Sequence, residues 1–280
     1  MMKIIFSRKG FDSSSGGWPS PLLPDGRMLS LPIPDKRSPI KYQDIACQEY
    51  NLGEVVSTLT KDKIRADYNA HLDPDLNVRS VQREADWKPV LGQTDAAQGH
   101  LRNNDVTAGD VFLFFGLFKE VTEENGAFAW IKNSPSKHII WGWLQIGKII
   151  PVKSDLAKLP TWLKYHPHLY GDRGSNNTLY IAEDSGIFTH FSEKLQLTIP
   201  DSKSPSMWQL PVWMYPESGK TPLSYHARMD RWNKNGDMTK LNAVSRGQEF
   251  ILSCADYPEA ERWLSELIGQ NLKEVVGDLK

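Results

Sequence analysis

A few short stretches of this 280-residue chain gather side chains able to bind, ligate or move protons. In FSRKGFDSSSGG (residues 6–17), an apolar run gives way to Ser7, Arg8, Lys9, Gly10, Asp12 and Ser13. Cations, hydroxyls and backbone N–H groups at the end of a strand suit a phosphate, through charge-assisted hydrogen bonds. The same residues also suit a strand simply meeting water, with Asp12 capping a turn. HLDPD (residues 71–75) offers His71, Asp73 and Asp75 at alternate positions, a set that a metal ion could accept. Asp-Pro is equally ordinary turn chemistry. YHPHLYG (residues 165–171) carries a second histidine pair, His166 and His168. GQTDAAQGHL (residues 92–101) brings Gln93, Gln98 and His100 together. Amides pair a donor with an acceptor, as the edge of a nucleobase requires, and an imidazole exchanges protons near neutral pH. NNTLYIA with Asn177, LSYH, and SRGQEF with Arg246 and Glu249 are further polar clusters at element borders.

These residues need a scaffold to hold them. Lys3 to Phe6 reads as a short buried strand, followed by a Gly-, Pro- and Ser-rich ordered loop. Residues 94–101 read as a helix capped by Thr94 or Asp95. VFLFFGLF (111–118), HIIWGWLQIGKII (138–150, one strand or a pair), 179–182 and LQLTI (195–199) read as strands, since Phe, Trp, Ile and Val favour the pleat. The spacing of Trp263, Leu264 and Leu267 predicts a C-terminal helix over about 257–279. No internal repeat divides the chain. The expectation is one α+β domain over residues 1–280, with a mixed or barrel-like sheet core and peripheral helices.

Composition narrows the function. With 33 basic and 34 acidic residues, no general basic field steers the chain onto nucleic acid, so any such contact is local. The two cysteines, Cys47 and Cys254, cannot form a Cys-rich zinc site. The first apolar run is too short for a signal peptide, and the longest is far below membrane-spanning length. A cytoplasmic protein without membrane contact or obligate protein partner is expected. GxSxG, HExxH and dinucleotide-binding glycine motifs are absent, so the common hydrolase and dehydrogenase readings lose support.

Taken in order, SRKGFDSSSGGWPSPLLPDG, SLPIP, HLDPD, LGQTDAAQGHL, GDVFLFFGLF, HPHLYG with NNTLYIA, LSYH and RGQEF resemble the third of the nucleotide-modification-associated domain families of bacteria and phages. The resemblance runs from Lys3 to Phe250, and Thr94-Asp95 departs from it where smaller residues are expected. It implies action on modified bases of DNA, in the setting of phage or foreign DNA. The leading expectation is a DNA glycosylase that needs no cofactor or metal. In that scheme Asp12 stabilises the oxocarbenium-like sugar, while His100 positions water or protonates the leaving base, and Gln93 completes the catalytic set. Ser7, Arg8, Lys9, Ser13 and Arg246 bind substrate, together with His71, Asp73 and His168. Gln98 and Asn177 join Gln93 in reading an extruded base. Two alternatives stand beside it: a non-catalytic reader of modified bases, and a nuclease or phosphoesterase with a metal at His71, Asp73 and Asp75.

Overall fold

The computed structural model describes residues 1–152, 158–217, 219–245, 247 and 249–277. Strands β1 (Lys3–Arg8), β2 (Ser20–Leu22), β3 (Ile33–Pro34), β4 (Ala46–Cys47) and β5 (Tyr50–Asn51) precede helix α1 (Leu52–Thr60). β6 (Ala70–His71) and β7 (Val90–Gln93) lead to α2 (Asp95–Asn103). Then come the long strands β8 (Val111–Glu124), β10 (Lys137–Pro151) and β11 (Thr178–Ile187), with the short β9 (Ala127–Trp130) after β8. β12 (Met207–Pro211), β13 (Trp232–Asn235), β14 (Met238–Asn242), β15 (Glu249–Ser253) and α3 (Ala260–Gly277) complete the order.

The main sheet runs β15-β1-β8-β10-β11-β7, with β2 and β9 also pairing with β8. β1 and β2 lie parallel to β8 and the remaining pairs are antiparallel. The result is a single α+β domain whose mixed, strongly curled, half-barrel-like sheet carries a few peripheral helices. β1 and β8 show why apolar runs without alternation become central strands: Ile4 to Phe6 and Val111 to Phe115 are buried whichever face they point to. The opening strand is therefore an interior strand of the sheet, and the loop after it starts from a fixed base.

The structure settles one open reading and overturns another. HIIWGWLQIGKII lies within one 15-residue strand, β10, whose register shifts accommodate its curl. LQLTI is not a strand. It forms part of a 3-10 turn and touches its neighbours through single bridges at Gln196 and Thr198. Thr198 Oγ1 accepts from His138 N at 2.7 Å and donates to Pro205 O at 2.6 Å, beside isolated backbone bonds such as Leu197 N to His138 O at 2.9 Å. Nor does the sequence pattern announce the three-stranded sheet β12-β14-β13, which sends Trp208, Leu210, Trp232 and Leu241 into the main core. Of the described residues, no helix is long and apolar enough to cross a membrane.

Within that core the buried His138 accepts the Trp208 indole N–H at its Nδ1, 2.9 Å away. Burial, with the Arg8 charge acting the same way, pushes its pKa down to about 3, and burial likewise pushes His226 down to about 4. The unfolded chain protonates both rings near pH 6.5, so the unfolded state binds more protons between those limits. Stability is then complete above about pH 6.5 and falls as the pH drops toward 3 to 4. Urea titrations should show the unfolding free energy declining through this window by up to about 1.4 kcal/mol per pH unit per imidazole. His138→Gln keeps an acceptor for Trp208 but cannot titrate, and should flatten the decline. An acid slope unchanged in that variant would exonerate His138.

Candidate metal centre

Three separate segments meet beside the end of β7. β6 pairs with β3 in the register Ile33↔His71, and Asp35, just past β3 and opposite Asn69, reaches back to His71 through its side chain. The chain then turns through Asp73, whose Oδ1 accepts the Gly92 N–H of β7 at 2.6 Å. His166 and His168 stand on a 3-10 turn, Pro167–Leu169, where His166 Nδ1 accepts the His168 N–H at 3.3 Å. The His168 ring lies over Gly92 so closely that a Cβ there would come within 2.2 Å of His168 Cδ2. Glycine is required at position 92 by this approach.

The ring nitrogens are sorted by their hydrogen bonds. His71 Nδ1 lies 2.8 Å from Asp35 Oδ2, an acceptor, so that nitrogen carries the hydrogen and Nε2 is left to face Asp73. His168 Nδ1 lies 2.7 Å from Asn177 Oδ1, and the Asn177 Nδ2 donates to His168 O at 2.7 Å; the amide is oriented and the ring with it. His168 Nε2 is thereby also left facing Asp73. The two Nε2 atoms stand 3.7 Å and 3.6 Å from Asp73 Oδ2, and the three ligand atoms lie within 4.8 Å of one another. Those separations are too long for hydrogen bonds. They are close to the roughly 3.4 Å expected between ligands held 2.0–2.2 Å from one tetrahedral ion. His166 differs from its neighbours: its Nε2 points at Asp73 Oδ1 from 3.3 Å, the oxygen already bonded to Gly92.

The charges fit this arrangement. Burial works against the Asp73 carboxylate, but His166, His168 and His71 outweigh it and hold the group well below the usual carboxylate range. Burial also works against protonated His71, yet Asp35 and Asp73 push its pKa up. His166, fully buried, is pushed down to about 4. Behind His71, Arg173 donates to Asp35 Oδ2 and to Pro167 O (2.9 Å to the latter), tying the β3 side of the site to the histidine turn.

The triad opens on a cleft of about 460 Å³. The end of β1 and the loop after it also line this cleft, contributing Arg8, Lys9, Asp12, Ser14 and Ser15, together with Gln93 and Thr94. The structure thus brings Arg8, Lys9, Asp12, Gln93, His71, Asp73 and His168 to one space, as well as Asp35, Arg37 and Arg173, which the sequence did not single out. Asp12 Oδ1 accepts from Ser14 N, Ser14 Oγ and Ser15 N at 2.7–2.9 Å. Lys9 Nζ lies 3.3 Å from the buried Glu249 Oε1, which also accepts from Ser7 Oγ and from Gln93 Nε2. Ser7 and Asn177 therefore act from behind the wall.

Other residues sit elsewhere. Ser13 is exposed at the loop tip. Gln98 is buried and accepts the Tyr180 hydroxyl. His100 bonds Ser224 Oγ at 2.9 Å and packs on Tyr225, away from the cleft lining. Arg246 lies outside the described residues. The ligand set His71, Asp73 and Asp75 needs correction: Asp75 pairs through its backbone with Val90, and its carboxylate accepts from Arg83 and the Tyr165 hydroxyl. His168, from a distant segment, takes the third place. The Thr94-Asp95 departure also has a local answer. Asp95 adopts a left-handed φ of 53°, held by reciprocal hydrogen bonds with Asn176.

No curated protein and no solved structure matches the chain significantly. The family described as nucleotide modification associated domain 3 matches residues 3–253, a span that includes the triad, the β1 loop and Glu249. The chain belongs to the nucleotide modification associated domain 3 family.

Proposed function

We propose that the protein is a metal-dependent hydrolase of a phosphate ester in a nucleotide or nucleic acid, that is, a phosphoesterase or nuclease. The observation that carries this reading is the convergence of His71 Nε2, His168 Nε2 and Asp73 Oδ2 at the wall of a cation-bearing cleft. Two imidazoles and one carboxylate suit zinc or another first-row divalent ion better than calcium or magnesium, which prefer all-oxygen shells. Three protein ligands leave a coordination position open, and a metal there would polarise water or a phosphoryl oxygen. Asp35 and Asn177 hold the imidazoles in the ligating tautomer, the role outer partners play around metal-bound histidines. Lys9 and Arg8 line the same cleft, where a phosphate would meet positive charge.

Glycosidic cleavage through Asp12 has less support. Three donors engage Asp12 Oδ1 in closing its own turn, which draws charge away from a developing sugar cation. A reader of modified bases would use an aromatic cage, and no Trp, Tyr or Phe is among the described residues lining the cleft.

The test is metal content together with turnover. Protein purified without chelator should retain close to one equivalent of a transition metal by elemental analysis. It should release phosphate or cut strands in a panel of nucleotides and oligonucleotides, lose that activity in EDTA, and regain it with zinc or manganese. Asp73→Asn and His168→Ala should lose at least nine-tenths of the bound metal, whereas Asp75→Asn should retain it. EDTA-resistant release of free base would instead restore the glycosylase reading.

Two substitutions probe the support of the triad. Asp35→Asn and Asn177→Ala should each weaken metal affinity by about 10–100-fold in competition with a chromogenic chelator, with the circular dichroism spectrum unchanged. Gly92→Ala should displace the His168 ring and reduce affinity at least as much; wild-type affinity in that variant would contradict the observed packing.

A further inference from the structure

We infer that the cleft takes a single free nucleotide and not a tract of DNA. For the bond that is cut, this inference rests on the hydrolase reading; for what is bound, it rests on the size and charge of the cleft. A volume of about 460 Å³ lies in the range, roughly 300–1,000 Å³, of sites that enclose one ligand of drug size, and a nucleotide is of that size. Duplex binding needs something different: a basic surface reaching about six to ten phosphates.

The charges of the wall do not provide such a surface. Arg8, Lys9, Arg37 and Arg173 line the cleft together with Asp12, Asp35 and Asp73. Each cation is already held by the protein. Arg8 donates to the carbonyls of Val244 and Ser245. Lys9 pairs with Glu249, and both Arg37 and Arg173 pair with Asp35. Counting the Glu249 partner of Lys9, four cations meet four carboxylates, so one divalent ion would supply the positive charge that matches one phosphate group. The chain as a whole, with 33 basic and 34 acidic residues, adds no long-range attraction for a polyanion.

The rest of the cleft suits the nucleoside. Ile33 and Pro34 supply an apolar strip beside the triad. The Gln93 amide is fixed at both ends, donating to Glu249 and accepting the Thr94 N–H at 3.2 Å. A fixed amide presents an invariant edge to a base or sugar hydroxyl. The substrate class is therefore a nucleoside phosphate drawn from solution.

The experiment measures binding apart from turnover. Metal-loaded protein is titrated calorimetrically with 2′-deoxynucleoside 5′-phosphonates, whose P–C bond resists hydrolysis, and separately with a 20-base-pair duplex and a 20-nucleotide single strand. The expected result is one phosphonate bound per chain, at least tenfold tighter than either oligonucleotide at 150 mM salt. The slope of log K against log salt for the phosphonate should be no steeper than about −2, against about −5 to −9 for a protein contacting six to ten duplex phosphates. Tighter oligonucleotide binding with a steep slope overturns the inference, and so does binding of neither. If phosphonates bind but the matching phosphates are never hydrolysed, the hydrolase reading fails and this inference stands. If strands are cut while mononucleotides fail to bind, the reverse holds.

Discussion

The candidate site depends on how the two oxygens of Asp73 are divided. A fully buried carboxylate costs several kcal/mol unless its lone pairs are met. Oδ1 is met by the Gly92 N–H, with the His166 edge next to it. Oδ2 receives no hydrogen bond; it faces two imidazole nitrogens across gaps of 3.6 and 3.7 Å. Had both oxygens been satisfied by N–H groups, the residue would be a structural anchor. Had neither been, the turn that carries it would not hold its place. One anchored and one open oxygen make a ligand whose direction is set by the backbone of β7.

That anchoring explains why the sheet matters to the chemistry. Gly92 donates its N–H to Asp73 and gives up its side-chain space to His168, so one residue of β7 fixes two members of the triad. β7 is itself an edge strand held by β11, and Asn177, immediately before β11, orients His168. The third member, His71, is placed by the two-residue pairing of β3 and β6 and by the Asp35 carboxylate. Ligands supported from ordered strands and turns keep their geometry better than ligands carried on free loops. β1, buried between β8 and β15, gives the same firmness to Arg8 and to the loop that follows it.

Much of this was legible in the sequence, but unevenly. Apolar runs such as Ile4–Phe6 and VFLFFGLF declare central strands, since a strand covered on both faces has no polar alternation to show. The alternation in LQLTI misleads because its backbone bonds fall on single bridges to two different neighbours, at Gln196 and Thr198, and not on one continuous ladder. For the site, HLDPD and YHPHLYG each stand out locally as histidine- and acid-bearing turns. Nothing in either says that they meet, because their meeting depends on β6, β7 and β11 being neighbours in space. Regular spacing made Asp75 the natural third ligand, yet its backbone pairing with Val90 turns it toward Arg83 and Tyr165. Asp35 and Arg173 carry no motif at all; only the geometry around His71 identifies them.

On the proposed reading, the charge of the cleft also sets the order of events. Without a divalent ion, a phosphate approaching Lys9 and Arg8 also approaches Asp12, Asp35 and Asp73, and the opposing charges largely cancel. Two unit charges 4 Å apart interact by about 4 kcal/mol at an effective dielectric constant near 20, so one carboxylate at that range offsets one cation. An ion held by His71, Asp73 and His168 would tip this balance toward positive charge, because a bound divalent cation is the largest local charge. On that reading the metal would precede the nucleotide, with His71, Asp73 and His168 holding the ion and Lys9 and Arg8 meeting the phosphate. A site assembled this way would discriminate by phosphate first and by base second, since several charged groups would draw the phosphate in while the Gln93 amide that could read the base is a single fixed group.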